Sequence, residues 1–259
     1  MRTIDGIGGR VGQARLAALE LWMKASVAAI EPNGQGCTGC RVRQFSVCAS
    51  LEAAEMQEFE HLSRHIHFAP CETVFAEEEM TTSFYNLLDG VMRLYKLLPD
   101  GRRQIVGFAL PGDFLGMNAS ERNNYSADAI GPVEVCRFSK ASFLRFVEDK
   151  PHLLRRINEL AMRELSQARD HLVLLGRRSA EEKVATFLIA WRNRLTRQTG
   201  PSAAVHLPMS RQDIADYLGL TIETVSRTFS KLEREGVIKI IPGGICPLDL
   251  AHAEAMATA

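Results

Sequence analysis

Residues 210–234 read SRQDIADYLGLTIETVSRTFSKLER, and this segment is the most informative part of the chain about its fold. Ser210 and Asp213 stand three positions apart, which is the form of a capping box at the start of a helix. The spacing predicts a first helix over residues 212–218, and Gly219 is predicted to end it. The segment therefore begins with a short helix whose first and last residues can both be predicted, one from the capping box and the other from the glycine.

A second helix is predicted after a short turn. Thr221 caps it, and the helix runs from Ile222 to about Glu235. Its apolar positions recur at helical spacing and are predicted to point inward: Ile222, Val225, Phe229 and Leu232. Two short helices with a glycine between them are typical of a helix-turn-helix unit. After the second helix, turn residues at 242–244 predict a β-hairpin. A helix-turn-helix unit followed by such a hairpin is a winged helix.

The outward face of the second helix has side chains suited to DNA. Recognition helices contact base edges with their N-terminal residues. Arg227 can bridge guanine O6 and N7, and Glu223 can accept a hydrogen bond from a cytosine amine. Arg211 and Lys231 are better placed for phosphates. The predicted DNA-binding residues are Arg211, Thr221, Glu223, Thr224, Ser226, Arg227 and Lys231. A helical pair that binds another protein is the alternative.

Short apolar runs separated by turn residues fill positions 68–140. The runs Phe84–Leu88, Val91–Tyr95 and Gln104–Phe108 are predicted to be strands, and Asp89-Gly90 is a typical hairpin turn between the first two. Strands at this spacing predict an antiparallel roll or barrel.

The apolar spacing becomes helical after Pro151, and Gly176 is predicted to end that helix. About 25 residues with apolar side chains on more than one side predict a helix that packs on the roll and on a second copy of the chain. A single core helix is the alternative. The predicted dimer contacts are Ile157, Leu160, Asp170 and Leu174. Asp170 is predicted to oppose dimerisation by bringing two carboxylates together, or else to be solvated.

These elements predict an α+β chain with an antiparallel, jelly-roll-like sensor domain, a long dimerisation helix and a C-terminal winged helix-turn-helix domain. The predicted segments are a flexible N-terminus with a cysteine loop (1–50), the β-roll (51–150), the helix (151–178) and the winged helix-turn-helix (179–259). Residues 51–135 carry 6 basic and 14 acidic side chains, whereas residues 177–244 carry 11 and 7. An acidic sensor joined to a basic module is typical of DNA-binding regulators.

The amino-acid sequence limits the classes of protein to which this chain can belong. Of the 259 residues 46% are hydrophobic and 24% are charged, which is typical of a globular chain. No run approaches the roughly 18 apolar residues of a membrane span. The N-terminus lacks a basic region followed by an apolar run, so no signal peptide is expected. The predicted location is therefore the cytoplasm. No serine–histidine–aspartate set or paired carboxylates stand out, so an enzyme is not expected.

Three cysteines form the pattern Cys37-x2-Cys40-x7-Cys48. A ligand set needs a fourth member, for which Cys71, Cys136 and Cys246 are the candidates. Four thiolates favour an iron–sulfur cluster or zinc, and a thiol pair is a further alternative.

Together with the cysteines, four motifs give the chain a resemblance to the Crp/Fnr superfamily of bacterial transcription regulators, and specifically to its Fnr branch. They are Gly112-Asp-Phe-Leu-Gly116, Ser179-Ala-Glu-Glu-Lys183, Met209-Ser-Arg and Glu223-Thr-Val-Ser-Arg227. The last motif is the most specific, because Glu223, Ser226 and Arg227 match the base-reading trio of that branch.

The resemblance implies a [4Fe–4S] cluster held by Cys37, Cys40, Cys48 and Cys136. It also implies a homodimer that forms under low oxygen and binds a double-stranded palindrome like TTGAT-N4-ATCAA, with RNA polymerase as a further partner. The sister branch binds cyclic AMP through an arginine, and here Tyr125 stands in its place. We therefore expect no cyclic nucleotide. A thiol-redox or zinc-containing DNA-binding regulator without a cluster is the alternative.

Overall fold

The computed structural model describes residues 36–118 and 120–258. The chain divides into two compact units, Met1–Cys40 and Arg41–Ala259. In the first unit, the described residues form a 3₁₀ turn at Gly36–Gly39. Most of the predicted flexible N-terminus lies outside the described residues.

The second unit begins with the cysteine loop, residues 41–52, and helix α1 (Ala53–Leu62), and it continues as a β-roll. The strands of the roll are β1 (Ser63–Phe68), β2 (Thr73–Phe75), β3 (Ser83–Asp89), β4 (Met92–Leu97), β5 (Arg103–Ala109), β6 (Phe114–Leu115), β7 (Ser126–Ala129) and β8 (Val133–Ser139). They form two four-stranded antiparallel sheets, ordered β1-β8-β3-β6 and β2-β7-β4-β5. The predicted antiparallel roll is confirmed.

Apolar side chains fill the space between the two sheets, among them Leu87, Met92, Ala127 and Val135. The outer face of the β1-β8-β3-β6 sheet packs instead against α1 and α2 (Lys140–Glu148) through aromatic rings. The ring of Phe59 from α1 lies 4.5 Å from that of Phe138 in β8. Cys136 of β8 lies on this same outer face of the sheet.

The C-terminal half is helical with a small sheet. It consists of α3 (Pro151–Arg177), α4 (Ala180–Thr199), β9 (Val205–His206), α5 (Arg211–Leu218), α6 (Ile222–Arg234), β10 (Ile238–Ile241), β11 (Gly244–Pro247) and α7 (Leu250–Thr258). The strands pair in the order β10-β11-β9, and β10 and β11 form the predicted wing. Helix α3 continues through Gly176 to Arg177, so the predicted stop at Gly176 is one residue short. Helix α7 was not predicted.

The roll and the helix-turn-helix share one apolar core. Phe108 of β5 lies with its ring 5.9 Å from Trp191 of α4 and 5.5 Å from Tyr217 of α5. Ile214 and Leu218, on the inner side of α5, are fully buried in the same cluster. The DNA-reading unit therefore packs on the roll through its first helix.

An ionic network lies beside this core. Arg103 donates from one guanidinium nitrogen to Asp213 at 2.7 Å and to Asp216 at 2.8 Å. Arg93 of β4 also reaches Asp213, at 3.3 Å. The carboxylate of Asp213 additionally accepts from the backbone and the hydroxyl of Ser210. Because the Asp213 side chain is only 4% exposed, its charge depends on these partners.

We expect Asp213→Ala to lower the free energy of unfolding by about 3–5 kcal/mol, because two arginines lose a buried partner and α5 loses part of its cap. Urea unfolding measures this change. The matched control is Asp100→Ala, which breaks the ion pair of Asp100 with Arg102 at the exposed surface. An ion pair at the solvent-exposed surface contributes little to the free energy of unfolding. Equal losses in both variants would contradict the assigned role of Asp213.

The same network sets a pH dependence. Burial raises the pKa of Asp213, but hydrogen bonds from Ser210 and the charges of Arg103 and Arg93 outweigh it and hold that pKa below its ordinary value. A lowered pKa stabilises the fold above the unfolded-chain value of about 3.9, and this stabilisation disappears as the pH falls through the folded value. Asp213→Ala removes this contribution to acid unfolding.

No helix in the described part of the chain is long and apolar enough to cross a membrane.

Candidate nucleic-acid interface and cysteine site

The two helices of the DNA-reading segment are fixed at their ends by local hydrogen bonds. Ser210 and Asp213 form the reciprocal capping box that their spacing predicted. Gly219 closes α5 with a left-handed backbone, φ 61°, and a Cβ there would lie 3.3 Å from Leu175. The hydroxyl of Thr221 accepts from the backbone N–H of Thr224 and begins α6. These features confirm both predicted helices.

Helix α6 has a buried face and an exposed face. Val225, Phe229 and Leu232 are at most 1% exposed and belong to the shared core. Ile222 was predicted to point inward, but it is 37% exposed. It is the first residue of the helix and therefore lies beyond the edge of the core.

The side chains predicted to contact bases are accessible. Thr221, Glu223, Ser226 and Arg227 are exposed, and Thr224 is half-buried. Hydrogen bonds from its own backbone N–H and from Thr221 hold the pKa of Glu223 below its ordinary value. The carboxylate is therefore a ready acceptor for a base amine. One turn of helix presents an acceptor, a hydroxyl and a guanidinium together.

The two predicted phosphate contacts have partners within the chain. The guanidinium carbon of Arg211 lies 3.3 Å from the centre of the Phe229 ring, and burial lowers its pKa to about 10. Arg211 therefore keeps its charge at neutral pH. Lys231 donates to Glu181 of α4 at 2.5 Å. A phosphate would have to compete with Glu181 for Lys231, and no local sequence pattern indicates this pairing.

The cysteine loop joins the roll to the long helix. Arg156 of α3 donates to the backbone carbonyls of Ser46 and Phe45, both at 3.3 Å. On the other side a Cβ at Gly112 would lie 2.9 Å from the Cβ of Phe45, so only glycine fits there. Cys48, which is buried, follows Ser46 in this loop and donates its backbone N–H to the Ser46 hydroxyl. Its position thus depends on both the roll and α3.

The four predicted ligands lie in different segments. In the first unit, the backbone N–H of Cys40 donates to the carbonyl of Cys37 at 3.4 Å, and both residues are half-buried. In the second unit, Cys48 and Cys136 are buried. Among residues 36–118 and 120–258, no group of three or more His, Cys, Asp and Glu side chains is arranged to hold a metal ion. The ligand set therefore stays a prediction.

Cys136 lies on β8 between two other strands. It stands opposite His65 of β1 and opposite Asn86 of β3. The Sγ of Cys136 is 3.5 Å from His65 Nε2. Asn86 is 1% exposed, and its side-chain oxygen has no hydrogen-bond partner among the described residues. A buried polar atom without a partner on the face that carries Cys136 is what an additional group at this place would explain.

The long helix α3 has a buried face and an exposed face. The residues on the exposed face are not the predicted dimer contacts, apart from Asp170. Ile157 and Leu174 are 8% and 5% exposed and belong to the chain's own core, whereas Leu160 is half-buried and Asp170 is exposed. The large apolar side chains that α3 exposes are Leu154, Met162, Leu165, Leu172 and Val173. At about 3.6 residues per turn these five fall on one side of the helix, which we call the apolar stripe. Helical spacing alone could not distinguish the inner side from the outer one.

The chain matches known protein families, and it is similar to known relatives over most of its length. Residues 207–238 match the family "Bacterial regulatory proteins, crp family", and residues 65–150 match the "Cyclic nucleotide-binding domain". The chain is 71% identical to the nitrogen fixation regulation protein FixK of Bradyrhizobium diazoefficiens, over 92% of this chain and 100% of the relative. The chain belongs to the Crp/Fnr family. It is a DNA-binding transcription regulator, which also confirms that it is not an enzyme.

Other members of the Crp/Fnr family agree with this placement. The transcriptional activatory protein AadR of Rhodopseudomonas palustris is 57% identical, over 86% of this chain and 93% of its own. The solved structure of FixK2 from Bradyrhizobium japonicum has a TM-score of 0.71 and 34% identity, and it covers 76% of this chain and 98% of its own. The match to a cyclic nucleotide-binding domain concerns the roll and does not test whether this Crp/Fnr member binds a nucleotide.

Tyr125, which stands where a cyclic-nucleotide-binding arginine is expected, packs into the roll. Its ring lies 5.5 Å from Phe75. Burial raises the pKa of Tyr125, and the nearby carboxylates of Glu164 and Asp113 raise it further. The absence of a bound nucleotide remains a prediction.

We expect Arg227→Ala to weaken binding to a TTGAT-N4-ATCAA duplex by about 1–3 kcal/mol, because an exposed guanidinium near the start of α6 is lost. Fluorescence anisotropy at fixed salt measures the change. Arg234→Ala is the matched control, since it removes the same charge at the exposed end of the same helix. Binding to a scrambled duplex is expected to change little in either variant. Equal losses on both duplexes would assign Arg227 to the phosphates.

Proposed function

We propose that this Crp/Fnr member is an oxygen-responsive transcription activator of the Fnr type. Cys37, Cys40, Cys48 and Cys136 would hold a [4Fe–4S] cluster, and the loaded protein would bind a TTGAT-N4-ATCAA-like palindrome as a homodimer under low oxygen. The activating role is taken from the printed name of the relative AadR. RNA polymerase would be its further partner.

The main support for the proposed oxygen sensing is the position of Cys48. Its loop contacts the roll at Gly112 and the long helix through Arg156. A group bound at Cys48 would therefore be connected to α3 by two hydrogen bonds from one side chain. A change at the cysteines can reach the helix without passing through the apolar core.

The buried surroundings of Cys136 fit a bound iron–sulfur group. The partnerless oxygen of Asn86 lies on the same sheet face, and a half-turn of its amide would present an N–H there instead. When bound, the cluster supplies iron–sulfur bonds that oxygen can attack. The protein's part is to supply thiolates, exclude water and transmit the position of the cysteine loop to α3.

Dimerisation is supported by the apolar stripe of α3. Leu172 and Val173 are 70% and 57% exposed, which is unusual for large apolar side chains on a helix. A second copy of the chain is the partner that a palindromic operator requires. Asp170 is exposed three positions before Val173, where two-fold packing would bring two carboxylates together.

A second candidate is a thiol-based regulator without a cluster. The observation that favours it is the 3.5 Å approach of His65 Nε2 to Cys136 Sγ, because a neighbouring imidazole is a common setting of reactive thiols. A zinc site would use the same cysteines. Neither version contains acid-labile sulfide, and this decides between the candidates.

We expect protein purified without oxygen to contain about four irons and four sulfides per chain, as four-cysteine ligation allows. Cys48→Ala and Cys136→Ala are expected to lose both, because each removes one ligand. Cys71→Ala is the control: Cys71 is exposed in a turn, and the variant is expected to load normally. Iron and sulfide assays with visible absorption measure this. Sulfide-free wild type would overturn the proposed cluster.

DNA binding of the same preparations is to be measured before and after exposure to air. The proposal expects loss of palindrome binding on aeration, together with loss of colour. Unchanged binding by a colourless protein would leave a DNA-binding regulator whose signal is something else.

We expect Asp170→Ala to shift the cluster-free chain toward the dimer, because it removes like-charge repulsion beside the apolar stripe. Sedimentation velocity over a range of protein concentrations measures the dimer fraction. Asp149→Ala is the control, since Asp149 caps the end of α2 outside the long helix. If both variants remained as monomeric as the wild type, Asp170 would be a solvated carboxylate with no role in assembly.

A further inference from the structure

The surroundings of Cys136 contain a side-chain arrangement that the sequence did not suggest. His65 of β1 lies between two acceptors: its Nδ1 is 3.1 Å from Glu134 Oε1, and its Nε2 is 3.5 Å from Cys136 Sγ. The three residues belong to two adjacent strands, and the β1–β8 register pairs His65 directly with Cys136.

The register explains why these atoms meet. Cys136 and Glu134 are two positions apart on β8, so their side chains leave the same face of the sheet. His65 leaves that face of the neighbouring strand opposite Cys136. One contact of its ring is therefore directly across the strands and the other is diagonal, which is the usual reach of long cross-strand neighbours.

We propose that His65 is a positioning residue for Cys136 and that it donates an Nε2–H hydrogen bond to the cysteine sulfur when that sulfur is a cluster ligand. Glu134 fixes the orientation of the ring through Nδ1. The inference rests on the proposed function, since it concerns a ligand of the proposed cluster.

Such a hydrogen bond has a predictable effect on a ligand sulfur. Carboxylate–histidine pairs beside metal ligands orient the ligand and tune the metal. A hydrogen bond to sulfur stabilises the more electron-rich form of an iron–sulfur cluster and so raises its reduction potential. Its removal makes oxidation easier and is expected to shorten the lifetime of the cluster in air.

His65 is much more exposed than Cys136, and this difference makes a substitution at His65 practicable. The His65 side chain is 54% exposed, whereas Cys136 is 6% exposed. Replacing His65 therefore leaves the packing of the roll intact, and circular dichroism checks that the variants fold.

The experiment compares His65→Leu, His65→Gln and the control His67→Leu as cluster-loaded, full-length proteins. His67 is exposed two positions further along β1, so the control removes an imidazole from the same face without touching Cys136. The readouts are the midpoint potential of the cluster, its iron–sulfur stretching frequencies by resonance Raman spectroscopy, and the rate at which its visible absorption decays in air.

His65→Leu is expected to load normally without oxygen, to have a lower midpoint potential and to lose its absorption several-fold faster than the wild type. His65→Gln keeps an amide N–H donor and is expected to recover most of the difference, which a merely steric role of His65 would not produce. His67→Leu is expected to behave as the wild type.

Failure of the proposed cluster and failure of the proposed role of His65 give different results. Wild type that contains no iron or sulfide overturns the proposed cluster, and the role of His65 falls with it. Wild type that is fully loaded, with His65→Leu identical to His67→Leu in potential, spectrum and decay, overturns the role of His65 alone.

Discussion

The carboxylate of Asp213 joins the two halves of this regulator, and much of the structure depends on it. It accepts from Ser210 to start helix α5, and it accepts from Arg93 and Arg103 of the roll. A group that caps a helix and neutralises two arginines at once leaves little freedom in how that helix sits on the sheet. The apolar packing of Phe108 against Tyr217 then adds the larger area of contact.

This constraint defines what remains available for function. Because α5 is held by its inner side, the outward face of α6 is free to present Glu223, Ser226 and Arg227. The long helix α3 is divided in the same way, since Leu174 packs into the shared core and the apolar stripe remains uncovered within the described chain. The proposed mechanism needs both surfaces: one reads a half-site, and the other brings a second reader to the adjoining half-site.

The proposed sensor connects to these surfaces through short polar links. Arg156 ties the cysteine loop to α3, and His65 links Cys136 to Glu134 on the sheet. Both residues are ordinary charged or polar positions in the sequence, with no motif around them. Their partners are backbone carbonyls or residues about 70 or more positions away, so no local pattern could have singled them out.

Features that depend on neighbours within a few residues can be predicted from the amino-acid sequence alone. The caps at Ser210 and Thr221, the turn at Gly219 and the strands of the roll follow from local hydrogen bonding and side-chain spacing, and the structure agrees with them. Three other features are visible only in the folded chain: which side of α3 is buried, the pairing of Lys231 with Glu181, and the contact of His65 with Cys136. These outcomes depend on which distant elements pack together, and a periodic pattern states that a face is apolar without stating what covers it.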